Sequence, residues 1–175
     1  EKFTALWPTV RDIAAASEEE VLKAWAGLGY YSRARNLKKC ADLIVREHGG
    51  FFLYSSAKLQ MLPGIGPYTA AAIASIAFGE PVPVVDGNVE RVVSRLRELS
   101  VPPALARSEI SRMVASWVPS DRPGDFAQAM MDLGATICTP RNPSCLICPV
   151  ASLCLAHAHG RTSEFPVKIT KSAKP

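Results

Sequence analysis

Four cysteines, Cys138, Cys145, Cys148 and Cys154, crowd into residues 138–154 with the spacing C-x6-C-x2-C-x5-C. So dense a set of thiols is a strong metal signal, and it dictates that the chain closes there into a tight loop. Two chemistries fit, a tetrahedral four-thiolate zinc site and a [4Fe–4S] cluster. Zinc sites commonly pair two C-x2-C knuckles, and only one is present. The uneven spacing leans towards a cluster and leaves zinc open. Structural disulfides are disfavoured, because nothing at the start of the chain reads as a secretory signal. The fifth cysteine, Cys40, falls on the apolar face of a helix and reads as core.

The rest of the chain is patterned for helices. Of 175 residues, 48% are hydrophobic and 21% charged, enough for a buried core and too apolar for disorder. The net charge of +4 permits a polyanionic partner without requiring one. No apolar run approaches the ~20 residues that cross a bilayer, so no membrane partner is expected. The expected setting is intracellular: bacterial cytoplasm at the nucleoid, or nucleus and mitochondria in a eukaryote. A monomer is expected. Ser17 and Glu20 form a capping-box pattern, with Val21, Leu22, Trp25 and Leu28 following at helical spacing. Ser32 is a candidate cap for a helix burying Leu37, Cys40, Ala41, Ile44 and Val45, which ends at Gly49 and Gly50. Ser55 or Ser56 opens a short helix, and a second starts near Pro67 and runs to about Phe78. A helix follows Asp86 with Val89, Val92, Val93 and Leu96 inward, and others follow near 104–118 and 124–137. "VPVV" is strand-like, but two prolines weaken it. The expected fold is all-α, in two helical lobes: 1–80, and 81–160 with the cysteine loop. Residues 161–175 read as a linker. "EKFTALW" reads as the tail of a helix already under way, which suggests a fragment.

Within "LPGIGPYTAA", residues 62–71, glycines and prolines stand at the mouth of a helix. Helix, "LPGIG", helix is a hairpin in which Gly64 and Gly66 permit a tight turn and close approach of another molecule. The free N–H groups of the second helix form an anion site for a DNA phosphate. An ordinary turn between helices fits the spacing equally well. Asp86, in "VVDGNVERV", is a favoured N-cap. An anion fixed there is also placed to stabilise a developing cation on a sugar. Asn88 and Arg91 read as helix-start and solvent residues. In "GLGYYSRARNLKK", aromatic residues beside Arg33, Arg35, Lys38 and Lys39 suit base stacking and phosphate contact, or a helix corner with a solvated basic face. His48, His157 and His159 read as isolated surface or helix-end residues.

Together, "WAGLGYYSRARNL", "LPGIGPYTAAAIASIAFG", "VVDGNVERV", "FAQAMMDLGATICTP" and the cysteine spacing resemble the helix–hairpin–helix DNA glycosylases, and within them the MutY-type adenine DNA glycosylases, over residues 1–160. The resemblance implies removal of adenine mispaired with 8-oxoguanine or guanine in duplex DNA, with the adenine flipped into a cleft between the two lobes. It implies that Asp86 stabilises or attacks an oxocarbenium-like sugar, with Tyr68 and Asn88 lining the catalytic site. Tyr68 matches the position where relatives of the endonuclease III kind carry a Schiff-base lysine, so efficient strand cleavage is not expected. Gln128 would face the flipped base. Leu28, Gly29 and Tyr30 would enter the duplex beside 8-oxoguanine. Gly64 and Gly66 would grip the backbone, and the four cysteines would hold a [4Fe–4S] cluster. Family members also carry a general-acid glutamate before the point where this chain begins. Glu1, Glu18, Glu19 and Glu20 fall outside its motif. Taken alone, the chain is therefore expected to bind DNA without excising a base. A thymine-mismatch glycosylase and a catalytically silent, metal-stabilised DNA-binding module are the alternatives.

Overall fold

The computed structural model describes residues 2–168. Glu1 and the last part of the expected linker, 169–175, lie outside the described residues. The described chain is helical throughout and contains no strand. The "VPVV" segment forms no strand and leads into a helix: Pro81 and Pro83 bring no backbone donor to a ladder. Two compact units, Glu1–Ala70 and Ala71–Pro175, divide inside a helix, upstream of the 79–85 break in composition.

In the first unit, α1 (Lys2–Leu6) leads into two short helices, α2 (Val10–Ala15) and α3 (Glu18–Ala24). Both of these lie against the long α4 (Tyr31–His48). The expected capping box is present on α3: Ser17 Oγ accepts from the Glu20 amide, and the Glu20 carboxylate takes the Ser17 amide at 2.8 Å. The same device, unread in the sequence, opens α2 through Thr9 and Asp12. Each pairing satisfies orphan donors and holds its carboxyl below the usual range. Asp12 is lowered chiefly by the Thr9 side chain, and Glu20 by the Ser17 backbone amide. Ala34, Cys40, Ala41 and Ile44 form the buried stripe of α4, which confirms Cys40 as core. Gly49, left-handed, closes the helix. Its start differs from expectation. Tyr30, not Ser32, is the N-cap; it is left-handed at φ 48° and contributes no side-chain bond. Ser55 caps α5 (Ser56–Leu59) as expected, and after the 62–66 turn α6 (Pro67–Phe78) begins with proline in its first turn, where no amide is missed.

The second unit is organised around α7 (Gly87–Arg97), which contacts α8 (Pro103–Ala115), α9 (Pro123–Asp132), a π-helical turn at Leu133–Ile137, and α10 (Leu155–Ala158). Val89, Val92, Val93, Leu99, Ala106, Ile110, Val114, Met130 and Leu133 make its core. Gly124 lets the start of α9 lie on the backbone of α6: a Cβ there would stand 2.8 Å from both Ile76 Cα and Ser75 O. Within the segment expected as a linker, Phe165 is anchored to the second unit: it is buried, and its carbonyl accepts from Arg95.

Candidate active site and cysteine centre

Asp86 is half-buried at the extended end of the 80–86 segment, and it caps α7: Oδ1 accepts the Val89 amide at 2.8 Å. Its other oxygen, Oδ2, accepts from Asn88 Nδ2 at 3.0 Å. The two bonds fix the carboxylate's plane. Asn88 is fixed in turn. Its Oδ1 accepts from Arg91 Nη2 at 2.9 Å, and its Cβ lies against Gly134 so closely that a Cβ on that glycine would stand 2.6 Å away. Arg91 is therefore not the solvent residue the sequence suggested. It also donates to Gly134 O at 2.6 Å and, through Nε, to Cys138 O at 2.8 Å. Burial lowers its pKa first of all, with Cys138 and Asp86 working the other way. A continuous hydrogen-bonded run thus links the Asp86 carboxylate, through Asn88 and Arg91, to the backbone of the first cysteine of the loop.

The four cysteines line one pocket with Arg95, Ile137, Ala151, His157 and Thr162. All are free thiols, which removes the disulfide reading. Four cysteines lining one pocket are a donor set that fits an iron–sulfur cluster. Cys145 is pushed above the ordinary thiol value by burial, then by Cys138 and Cys148. Cys154 is likewise raised, first by burial and further by the other three cysteines. Four thiolates so placed repel one another unless a cationic centre lies among them.

The remaining predicted residues fall elsewhere. Gly64 sits in the hairpin at φ 77°, and a Cβ there would stand 2.5 Å from Asn36 Cβ, so glycine is required by both backbone and packing. Around Gly66 nothing lies within 4 Å of an added Cβ, and its carbonyl opens α6 by accepting the Ala70 amide at 2.9 Å. Tyr68 is in the first turn of α6, partly exposed. Leu28 and Tyr30 project from the turn before α4, 65% and 80% exposed, a degree that no packing role explains. Trp25 braces that turn, its Nε1 donating to Gly29 O at 2.9 Å. Gln128 is exposed on α9, with Nε2 on Gly124 O at 3.2 Å. His159 has a partner the sequence did not indicate: its Nδ1 lies 3.1 Å from Glu98. Sequence reading missed Arg95 altogether. Its signal was a cation on the inward stripe of α7, between Val92 and Leu99.

A hairpin with an open helix mouth, a braced carboxylate at a second helix start, and a four-cysteine pocket define a class of DNA repair proteins. The chain belongs to the HhH-GPD superfamily of base excision DNA repair proteins, whose family model matches residues 1–118. Residues 138–154 match the iron–sulfur binding domain of endonuclease III. The cysteine centre is accordingly a [4Fe–4S] site. The chain is 52% identical to an adenine DNA glycosylase of Homo sapiens over 97% of its own length and 32% of that protein's. It is 41% identical to an adenine DNA glycosylase of Mycolicibacterium smegmatis, over 91% of this chain and 53% of the relative. It thus spans between a third and about half of these relatives. Among solved structures, a thermostable thymine-DNA glycosylase superposes with a TM-score of 0.82 at 29% identity, over 90% of this chain and 74% of that one. A non-covalent endonuclease III–DNA complex superposes at 0.74 and 27% identity, over 90% of this chain and 73% of that one. No helix among the described residues is long and apolar enough to cross a membrane.

Proposed function

We propose that the chain is the core of a DNA glycosylase that releases adenine mispaired with 8-oxoguanine or guanine from duplex DNA. The single observation that carries this reading is Asp86, held at the mouth of α7 with each carboxylate oxygen engaged by one donor. In N-glycosidic hydrolysis the bond between the sugar's C1′ and adenine N9 breaks, and its electron pair leaves with the base. Positive charge grows at C1′ and the ring oxygen, and water then adds at C1′. A fixed carboxylate is worth most at that moment, because it need not reorganise as charge appears. Asn88 keeps Asp86 in plane, and Arg91 keeps Asn88.

Tyr68 and Gln128 are assigned to the surroundings of the flipped nucleotide, and Leu28, Gly29 and Tyr30 to the duplex. The start of α6 after Gly66 suits a backbone phosphate, with Gly64 setting the turn. Tyrosine at position 68 cannot form a Schiff base, so hydrolysis without efficient strand cleavage follows. Cys138, Cys145, Cys148 and Cys154 hold the cluster, which, when bound, cross-links the last loop of the second unit.

Thymine excision from a mismatch is the second reading, favoured by the likeness to a thymine-DNA glycosylase. The names of the sequence relatives favour adenine.

Asp86→Asn in the natural full-length polypeptide tests the role of the carboxylate. Asparagine is as good an N-cap as aspartate, so α7 keeps its start. Single-turnover base release is expected to fall by on the order of 100-fold or more, with duplex binding and melting temperature nearly unchanged. An equal loss of binding and release would make Asp86 a structural cap and nothing more.

A further inference from the structure

A guanidinium stripped of water normally sits against a carboxylate, because neutral acceptors seldom repay its desolvation. Arg95, on α7, is only 2% exposed, and among the described residues no carboxylate is its partner. Nη1 donates to Cys138 Sγ and Cys138 O, each at 3.3 Å, and to Thr139 O at 2.7 Å. Nη2 reaches Pro140 O at 3.2 Å. Nε donates to Thr162 O at 3.0 Å and Phe165 O at 3.1 Å. One side chain therefore holds the segment leaving the first cysteine and the strap that follows the last. Among the described residues its charge is answered only by sulfur and by carbonyl dipoles, which suits an anionic group held by four thiolates. Arg91, one turn earlier, meets Cys138 only through the carbonyl.

We propose that Arg95 is a positioning residue for the iron–sulfur centre: it fixes Cys138 Sγ, ties the 138–140 and 162–165 segments together around the site, and raises the cluster's reduction potential through its charge and its hydrogen bond to that sulfur. Hydrogen bonds to ligand sulfur and local charge are established controls of cluster potential, and partners beyond the ligands commonly govern how firmly a metal centre is held. The strap has a second anchor on the same helix. Glu98, following α7, lies 3.1 Å from His159 Nδ1 and 3.6 Å from Arg161 Nη1. Loss of Arg95 thus removes the contact to sulfur while leaving part of the strap held.

The test uses Arg95→Met and Arg95→Lys in the loaded, full-length protein. It measures iron and labile sulfide per chain, visible absorbance under a chelator, and the potential by electrochemistry. Arg95→Met is expected to shift the potential to more negative values and to bleach several-fold faster. Arg95→Lys, with its charge but a single nitrogen, is expected to fall between that variant and the wild type. A fully loaded Arg95→Met protein with the wild-type potential overturns the proposal, even if its melting temperature drops. Should Arg95→Met fail to accumulate, Arg95→Lys decides alone: wild-type potential and bleaching rate overturn the proposal, and a displaced potential with faster bleaching upholds it.

Discussion

At Gly134 the question is why the chain needs no side chain there. A Cβ would stand 2.6 Å from Asn88 Cβ and 3.0 Å from Asn88 O, and Asn88 is the residue that holds the Asp86 carboxylate at 3.0 Å. Gly134→Ala must push Asn88 or the π-helical turn aside, an overpacking cost of about 1–3 kcal/mol. Displacing Asn88 also frees one carboxylate oxygen. The expected outcome is a modest fall in melting temperature and a disproportionate fall in base release, with binding to duplex DNA preserved. Release that declines only in step with the folded fraction would detach Gly134 from the site. The cap at Asp86 and the cysteine loop were legible from the sequence because their chemistry is local: a capping residue before a helix, thiols within one loop. Arg91 and Arg95 were not. Their long-range partners lie 43 to 70 residues away, and only a folded chain brings those carbonyls to them.

Helices show the same division. Ser17 with Glu20, Ser55, Asp86 and the glycine after α4 marked ends that the structure reproduces, because caps and stops are short-range. The start of α4 escaped, since a left-handed tyrosine at its N-cap has no propensity signature, and the neighbouring serine offered an easier cap. The caps of α2 and α3 carry a pH consequence. Asp12 and Glu20 are held below their ordinary values. Groups depressed on folding stabilise the native state above their unfolded pKa, and that contribution disappears as pH falls through the folded value. The first turns of α2 and α3 are therefore expected to be fully protected at neutral pH and to fray below the ordinary carboxyl range. Amide exchange followed through an acid titration checks this. Glu20→Gln should remove the acid-dependent part at α3 and leave that at α2. An acid response that persists at α3 in this variant would place its origin elsewhere.

Over the whole molecule, the helical class and the cysteine centre were readable from periodicity and spacing, whereas the choice between zinc and a cluster was not. That choice turned on the match of residues 138–154 to an iron–sulfur binding domain. Substrate is a property of the same scale, since it depends on everything that surrounds a swung-out base. The most direct measurement gives the natural full-length polypeptide, cluster-loaded and in excess, three duplexes that differ only at one pair: adenine opposite 8-oxoguanine, thymine opposite guanine, and adenine opposite thymine. The released base is identified chromatographically from each. The account predicts free adenine from the first duplex, with the strand left uncut until alkali is added, and nothing comparable from the other two. Thymine released from the second in preference to adenine from the first, or no base released from any, would contradict it.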